Sequence, residues 1–483
     1  MPVAPRPLGN VQDMGTALRE VRRVAERTPP SRERFIDLLR AVSIVAVVLG
    51  HWLVTVVGHD DHGELIGRSA LPDLPWAHPL TWVVQVMPVF FFVGGYANAV
   101  SLDAERRRGG TATEWLIKRS GRLIPPTTAL VLVMGGGALA AGLFDAAPAR
   151  VRTVVWLASI PLWFLVVYLI VVALTPPMYA LHRRYGLAVP PVLVLLVAAG
   201  DVARLLGHDF WGGGNFLFGW LAVHQMGFAW RDGLLPARPR VAVPLLLAGI
   251  GALLLLTLAG PYPISMINVP GERLHNMSPP SLALLAVATA QLGVALLLRD
   301  RAERWLRRTR RWTAVVAVNS VIMTVFLWHI SAAILLTGVL HVAGVLPTPE
   351  AGSAAWLAWR IPLLVMCGVV LTLLVAIFGP IEVRGAQRPR RLSLPTPAGL
   401  ARMASGEGFR PWLAVAAFAG VAFALLTNSL WPSTAPTVSG MPAVALITYL
   451  ACAALLRLLR STPPAAQTEP RPTPHARPPS RLV

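Results

Sequence analysis

The chain reads as an all-α, polytopic integral membrane protein, a ten-helix core followed by an additional helix pair. Three observations predict this. Of 483 residues, 55% are hydrophobic and only 14% are charged, against about 25% charged in a soluble domain. Apolar runs long enough to cross a bilayer recur twelve times. The loops between them alternate, every second one strongly basic and the others nearly bare of Arg and Lys, which is the positive-inside pattern. The net charge of +20 falls mainly in those short loops, so it argues for orientation and against a nucleic-acid partner.

The elements follow in order. Residues 1–34 read as a disordered basic cytoplasmic tail, without the apolar stretch of a signal peptide. The first span, about 35–57, leaves the cytoplasm and delivers an acidic outer loop carrying Asp60, Asp61, Glu64 and Asp73 against Arg68. The second, about 79–101, returns to a basic loop with Arg106, Arg107 and Arg108. The third and fourth (about 123–144 and 153–175) end at HRRYG, and the fifth and sixth (187–206 and 214–230) at RDGLLPARPR. The seventh and eighth (241–260 and 281–298) end at RDRAERWLRRTRR, and the ninth and tenth (313–340 and 360–381) at VRGAQRPRR. The core is thus 35–382. A cytoplasmic linker, 383–410, leads to an extra transmembrane pair within 411–459 and a Pro-rich cytoplasmic tail, 460–483. Both termini fall on the cytoplasmic side of a multi-pass protein. The arginine-heavy, lysine-poor composition hints at a bacterial genome and so at the plasma membrane.

Chemistry is expected where polar groups enter these spans. Arg40 and His51 stand eleven residues apart in the first, about 16 Å along a helix and only ~20° off one face. Ionisable residues inside a membrane are functional candidates by default. The bland readings are an Arg40 that snorkels to the headgroups and a His51 that bonds a neighbouring helix. In the second span, Gly94 and Gly95 suit close helix packing, with Asn98 beside them. Arg119 and Arg122 share a helix face three residues apart. They suit bidentate phosphate binding or headgroup anchoring. His224 and Gln225 lie inside the sixth span. His329 lies about sixteen residues into the ninth, roughly 24 Å from its inner edge and toward the outer leaflet. The outer loop with Glu272, Arg273, His275 and Asn276 is an ordered lid or a solvated connection. Asp37, three residues before Arg40, is placed to pair with it, and no Asp or Glu is evident at mid-depth. Cys367 and Cys452 are far apart, and no residues show metal-ligand spacing.

Read together, these pieces resemble membrane-bound acyltransferase family 3. The resemblance rests on IDLLRAVSIVAVVLGHW, with ten residues between Arg40 and His51, on MPVFFFVGGYANA, and on the RxxR of KRSGRLIPP (Arg119, Arg122). It extends to PLWFLVVYL and NSVIMTVFLWH and covers about 33–382. The chain departs from the family pattern at Gly94, where a serine often stands, and at VIMTVF, where tyrosines and serines are common. The resemblance implies an acyltransferase-type core and an O-acyltransferase. It would move an acyl group, often acetyl, from cytoplasmic acyl-CoA to a hydroxyl on a glycan, lipid or small molecule. Acyl-CoA is then a donor co-substrate, with no permanently bound cofactor and no metal. His51 is implied as general base or acyl carrier, and Arg40 as oxyanion stabiliser or phosphate ligand. Arg119 and Arg122 fall to the CoA, and His329, His224 and Asn98 to the substrate. Two other classes compete. A transporter or flippase would use His51, His224 and His329 as a relay. A polyprenyl-dependent glycosyltransferase would use the acidic outer loop.

Overall fold

The computed structural model describes residues 22–23, 25–29, 32–59, 65–385, 406 and 408–462. Asp60, Asp61 and Glu64, most of the linker and most of both tails lie outside the described residues. Helices dominate, and among the described residues ten stretches are long and apolar enough to cross a membrane. One of the ten, Leu162–Leu205, runs 44 residues and holds two helices, parted where Gly186 turns at φ +55°. Another helix, Asn215–Arg231, has 17 residues and falls just short of that length. Helices therefore stand at all twelve expected positions.

The first helix, α1, spans Arg34–Val54. It ends three residues earlier than the hydropathy suggests. β-branched Thr55–Val57 favours extended backbone, and Thr55–His59 pairs antiparallel with Leu65–Ser69 as β1 and β2. His51 consequently lies in the last turn of α1. Arg360 receives the helix end, its Nη1 donating to the carbonyls of Thr55 at 2.7 Å and Trp52 at 3.4 Å. A cation there also complements the negative end of the helix dipole.

Helix α2 (Met87–Arg107) leads to α3 (Ala112–Leu143), which begins eleven residues before the expected span. Thr111 starts it, its Oγ1 accepting from the Glu114 amide at 3.2 Å. The Thr-x-x-Glu spacing is that of a capping box. Arg119 and Arg122 therefore belong to the helix body. The expected fourth span is broken. Short α4 (Pro148–Ala158) turns at Ser159–Pro161 into α5 (Leu162–Tyr185). Then come α6 (Val189–Leu205), α7 (Asn215–Arg231), α8 (Pro239–Leu254) and α9 (Leu282–Trp305). The expected ninth span is also broken, α10 (Thr309–Ser320) and α11 (Ile322–Val342) meeting at Val321. A 32-residue α12, Ala354–Gly385, closes the core, and α13 (Arg410–Leu430) and α14 (Ala443–Ser461) complete the chain.

Helix α1 packs against α2, α10 and α11, and α2 against α7. The α2–α7 contact is close because it is made through glycine. A Cβ on Gly95 would lie 2.1 Å from the His224 carbonyl oxygen, and one on Gly227 would lie 1.9 Å from that of Phe92. Gly94 plays no such part, since its Cβ would meet only ordinary contacts at 3.7 Å. The final pair lies on the core, α13 against α5 and α14 against α3. Exposed apolar side chains such as Leu195, Ile361 and Ile447 suit a surface whose solvent is lipid. The 261–281 segment is ordered. Met266, Leu274 and Asn276 are buried, and Asn276 Nδ2 donates to the carbonyls of Pro263 and Ser265.

Candidate active site

A cavity of ≈ 900 Å³, measured to its open mouth, lies among α1, α2, α3, α5, α10, α11 and α12. Arg40, Arg119, Arg122 and Glu382 line it. Three guanidiniums thus face one carboxylate among the described lining residues, and the cavity favours a polyanion. Arg122 is within electrostatic range of the other three. Each arginine is held differently. Asp37, tied at 2.7 Å to Arg32, holds Arg40 only at 3.9 Å. Arg119 Nη2 donates to Asn98 Oδ1, and its guanidinium lies 5.7 Å from the centre of the Trp115 ring. Arg122 is exposed at the cavity.

The Val321 break contributes a fourth feature. It frees the first amides of α11 beside the cavity, where a helix N-terminus attracts anions. Glu382, reaching over from α12, accepts from the amides of Met323 at 3.1 Å and Thr324 at 2.8 Å, and from Thr324 Oγ1 at 2.8 Å. Sequence reasoning missed this carboxylate because α12 outlasts the hydrophobic window that marked the span. Buried Asp201 on α6 was missed too. It accepts from Arg204, Asn215, the Leu282 amide and Tyr262, and through Tyr262 and Leu282 it pins both ends of the 261–281 segment.

Farther along α1 stands a histidine pair. His51 and His329 have ring centres 5.0 Å apart at 56°. The break at Val321 places His329 seven residues into α11 rather than sixteen into a continuous helix, so it lies level with His51. His51 Nδ1 is 2.9 Å from the Val47 carbonyl, and His329 Nδ1 is 2.6 Å from that of Phe326. A carbonyl only accepts, so each Nδ1 carries the proton and each Nε2 keeps its lone pair. Trp52 Nε1 donates to the His329 carbonyl at 2.9 Å and ties the two helices at this level. Phe90, Phe164 and Phe326, at 5.1–5.2 Å ring separations, stand at the cavity, and Phe326 also meets His329 at 5.9 Å.

Asn98 and His224 belong to the support behind the cavity. Both are buried, and Asn98 Nδ2 lies 3.2 Å from His224 Nε2, which completes a chain from α7 through α2 to Arg119. Among the described residues no hydrogen bond or ring contact joins His224 to the His51–His329 pair. Gln225, also buried, donates to the Met178 carbonyl at 3.1 Å.

Residues 33–379 match a family model described as an acyltransferase domain, that of acyltransferase family 3. No curated protein and no solved structure matches the chain.

Proposed function

The chain belongs to acyltransferase family 3 and is a membrane acyltransferase, and from that premise we propose that it moves an acyl group, acetyl foremost, from acyl-CoA to a hydroxyl of a glycan, lipid or small molecule. The observation that carries this reading is the pairing of a polyarginine cavity with a bare imidazole nitrogen farther along the same helix. The CoA phosphates lie with Arg40, Arg119 and Arg122, and the pantetheine arm runs along α1 past the phenylalanines toward His51. By loop charge, the cavity end is cytoplasmic.

The length of helix between Arg40 and His51 favours one of the two roles that the sequence leaves open for Arg40. Any oxyanion forms on the carbon under attack, close to the base that activates the hydroxyl. Arg40 stands about 16 Å along the helix from His51, too far to serve that oxygen. It serves the phosphates. In the reaction, His51 Nε2 takes the acceptor's hydroxyl proton as the oxygen attacks the thioester carbonyl. The C–S bond breaks, the ester C–O bond forms, and the proton passes to the departing thiolate. The same nitrogen is free to carry the acyl group covalently.

The test uses purified protein in detergent with radiolabelled acetyl-CoA and longer acyl-CoAs, comparing wild type with His51→Ala and Arg40→Ala. CoA release that collapses in His51→Ala, with folding intact, supports the reading. Label retained on wild type selects the covalent route. Absence of CoA release with every donor overturns the enzyme reading in favour of transport, which uptake into vesicles then measures.

A further inference from the structure

A second cavity, of ≈ 460 Å³ measured out into open solvent, lies at the opposite end of α1 from the arginines. It begins one residue past His51. Trp52, whose indole holds the His329 carbonyl, is part of its wall, with Trp356, Trp359 and Arg360. Three features mark it as built to receive a polar ligand. Trp356 is 5% exposed, yet its Nε1 donor has no partner among the described residues. Arg360, 7% exposed, places its guanidinium 4.4 Å from the centre of the Trp356 ring. Its Nε and Nη1 go to backbone carbonyls, while its Nη2 has no hydrogen bond among the described residues. Among the described lining residues, no carboxylate balances it.

Each feature selects chemistry. Flat indole faces suit the apolar face of a ring compound. An unmet N–H in a buried site requires an acceptor oxygen, because leaving it bare costs free energy. A guanidinium with no carboxylate among the described lining residues selects an anion and disfavours a cation. We propose that this cavity is the acceptor subsite, and that the acceptor is an acidic, hydroxyl-bearing ring compound of the uronate kind, free or carried on a lipid. Its acid group meets Arg360, its ring lies on the indoles, and an oxygen accepts from Trp356 Nε1. A hydroxyl at the inner end of the cavity then faces His51. This rests on the acyltransferase reading, since it names the substrate class for that reaction.

The experiment measures binding without turnover. Full-length protein in phosphatidylcholine nanodiscs is titrated with methyl β-D-glucuronide and methyl β-D-glucoside by saturation-transfer NMR, in the absence of acyl-CoA. The glucuronide is expected to bind roughly tenfold tighter or more, the margin of a charge-assisted hydrogen bond. Arg360→Gln removes that preference. Arg360 also holds the end of α1, so Trp356→Phe provides a second variant that keeps the ring and deletes only the donor. It weakens the glucuronide about threefold to tenfold, the loss of one neutral hydrogen bond. Discs containing phosphatidylglycerol separate the sources. Competition there supports a lipid-borne acid, and its absence supports a free one. Equal affinity for the two sugars, no binding to wild type, or unchanged affinity in Trp356→Phe overturns the proposal. CoA release without sugar binding defeats this inference alone, whereas sugar binding without CoA release from any donor defeats the acyltransferase reading.

Discussion

At the scale of the residue, the proposed reaction gives the base to His51 and the phosphates to Arg40. His51 offers a bare Nε2 because its Nδ1 is committed to the Val47 carbonyl. Replacing it by alanine removes the proposed base and leaves the arginine cavity intact. Turnover is expected to fall by about 10²–10⁴-fold, with acyl-CoA binding unchanged in equilibrium dialysis. Arg40 is loosely held, with Asp37 at 3.9 Å, and so is free to meet a phosphate. Arg40→Ala is expected to raise the KM for acyl-CoA roughly tenfold or more, the size of a lost charge-assisted hydrogen bond, with a smaller effect on kcat. The wild-type KM should itself climb with salt, since partly exposed charges are screened. A KM indifferent to salt and to Arg40→Ala would place the phosphates elsewhere.

Two elements determine where these residues stand. The first is the Val321 break, which ends α10, exposes the α11 amides and brings His329 level with His51. Glu382 satisfies two of those amides from another helix. Glu382→Ala strands them, at about 1–3 kcal/mol for each buried donor left unmet. Its melting temperature in detergent should drop clearly below that of wild type. Glu382→Gln keeps an acceptor and should fall between the two. The second is the α2–α7 contact. A side chain at Gly227 would enter the Phe92 carbonyl, forcing the helices apart and disturbing the Asn98–His224 support of Arg119. Gly227→Val is expected to cost about 1–3 kcal/mol of overpacking and to weaken acyl-CoA binding as well. A variant that loses stability while retaining full acyl-CoA affinity would show that the support does not matter to the cavity.

For the whole molecule, buried polar side chains join the terminal pair to the core, Asn428 to Ser159 and Tyr449 to Thr128 among them, and Arg152 makes the most of these bonds. Arg152 on α4 is fully buried. Its three nitrogens donate to the Asn428 side chain and to the carbonyls of Asn428, Trp431, Pro432 and Gly440. A buried cation without a carboxylate is tolerated only when its donors are met. Arg152→Ala leaves several carbonyls unmet at about 1–3 kcal/mol each. Limited proteolysis should then release the α13–α14 pair before the core is cut. If the pair stays protease-resistant, packing of α13 on α5 and of α14 on α3 suffices without the clamp.

The sequence by itself determined the membrane architecture. A helix in lipid must satisfy its own backbone hydrogen bonds, so hydropathy over some twenty residues is a local and sufficient signal. It also placed Arg40 and His51 on one helix face, since 3.6-residue periodicity is local too. The early start of α3 was legible in the Thr111–Glu114 capping box, a signal that hydropathy overlooks. What the tertiary structure alone decided is which of these groups meet. Arg40, Arg119, Arg122 and Glu382 lie on α1, α3 and α12, and only packing closes them around one cavity. His329 joins His51 because α11 breaks from α10, and that break is held by a carboxylate 58 residues away from Thr324. His224 and Asn98 carry the same intramembrane signature as His51, yet they face inward to brace Arg119. Polarity in an apolar span marks a residue that needs a partner, and whether that partner is a neighbouring helix or a ligand depends on contacts between segments distant in the chain.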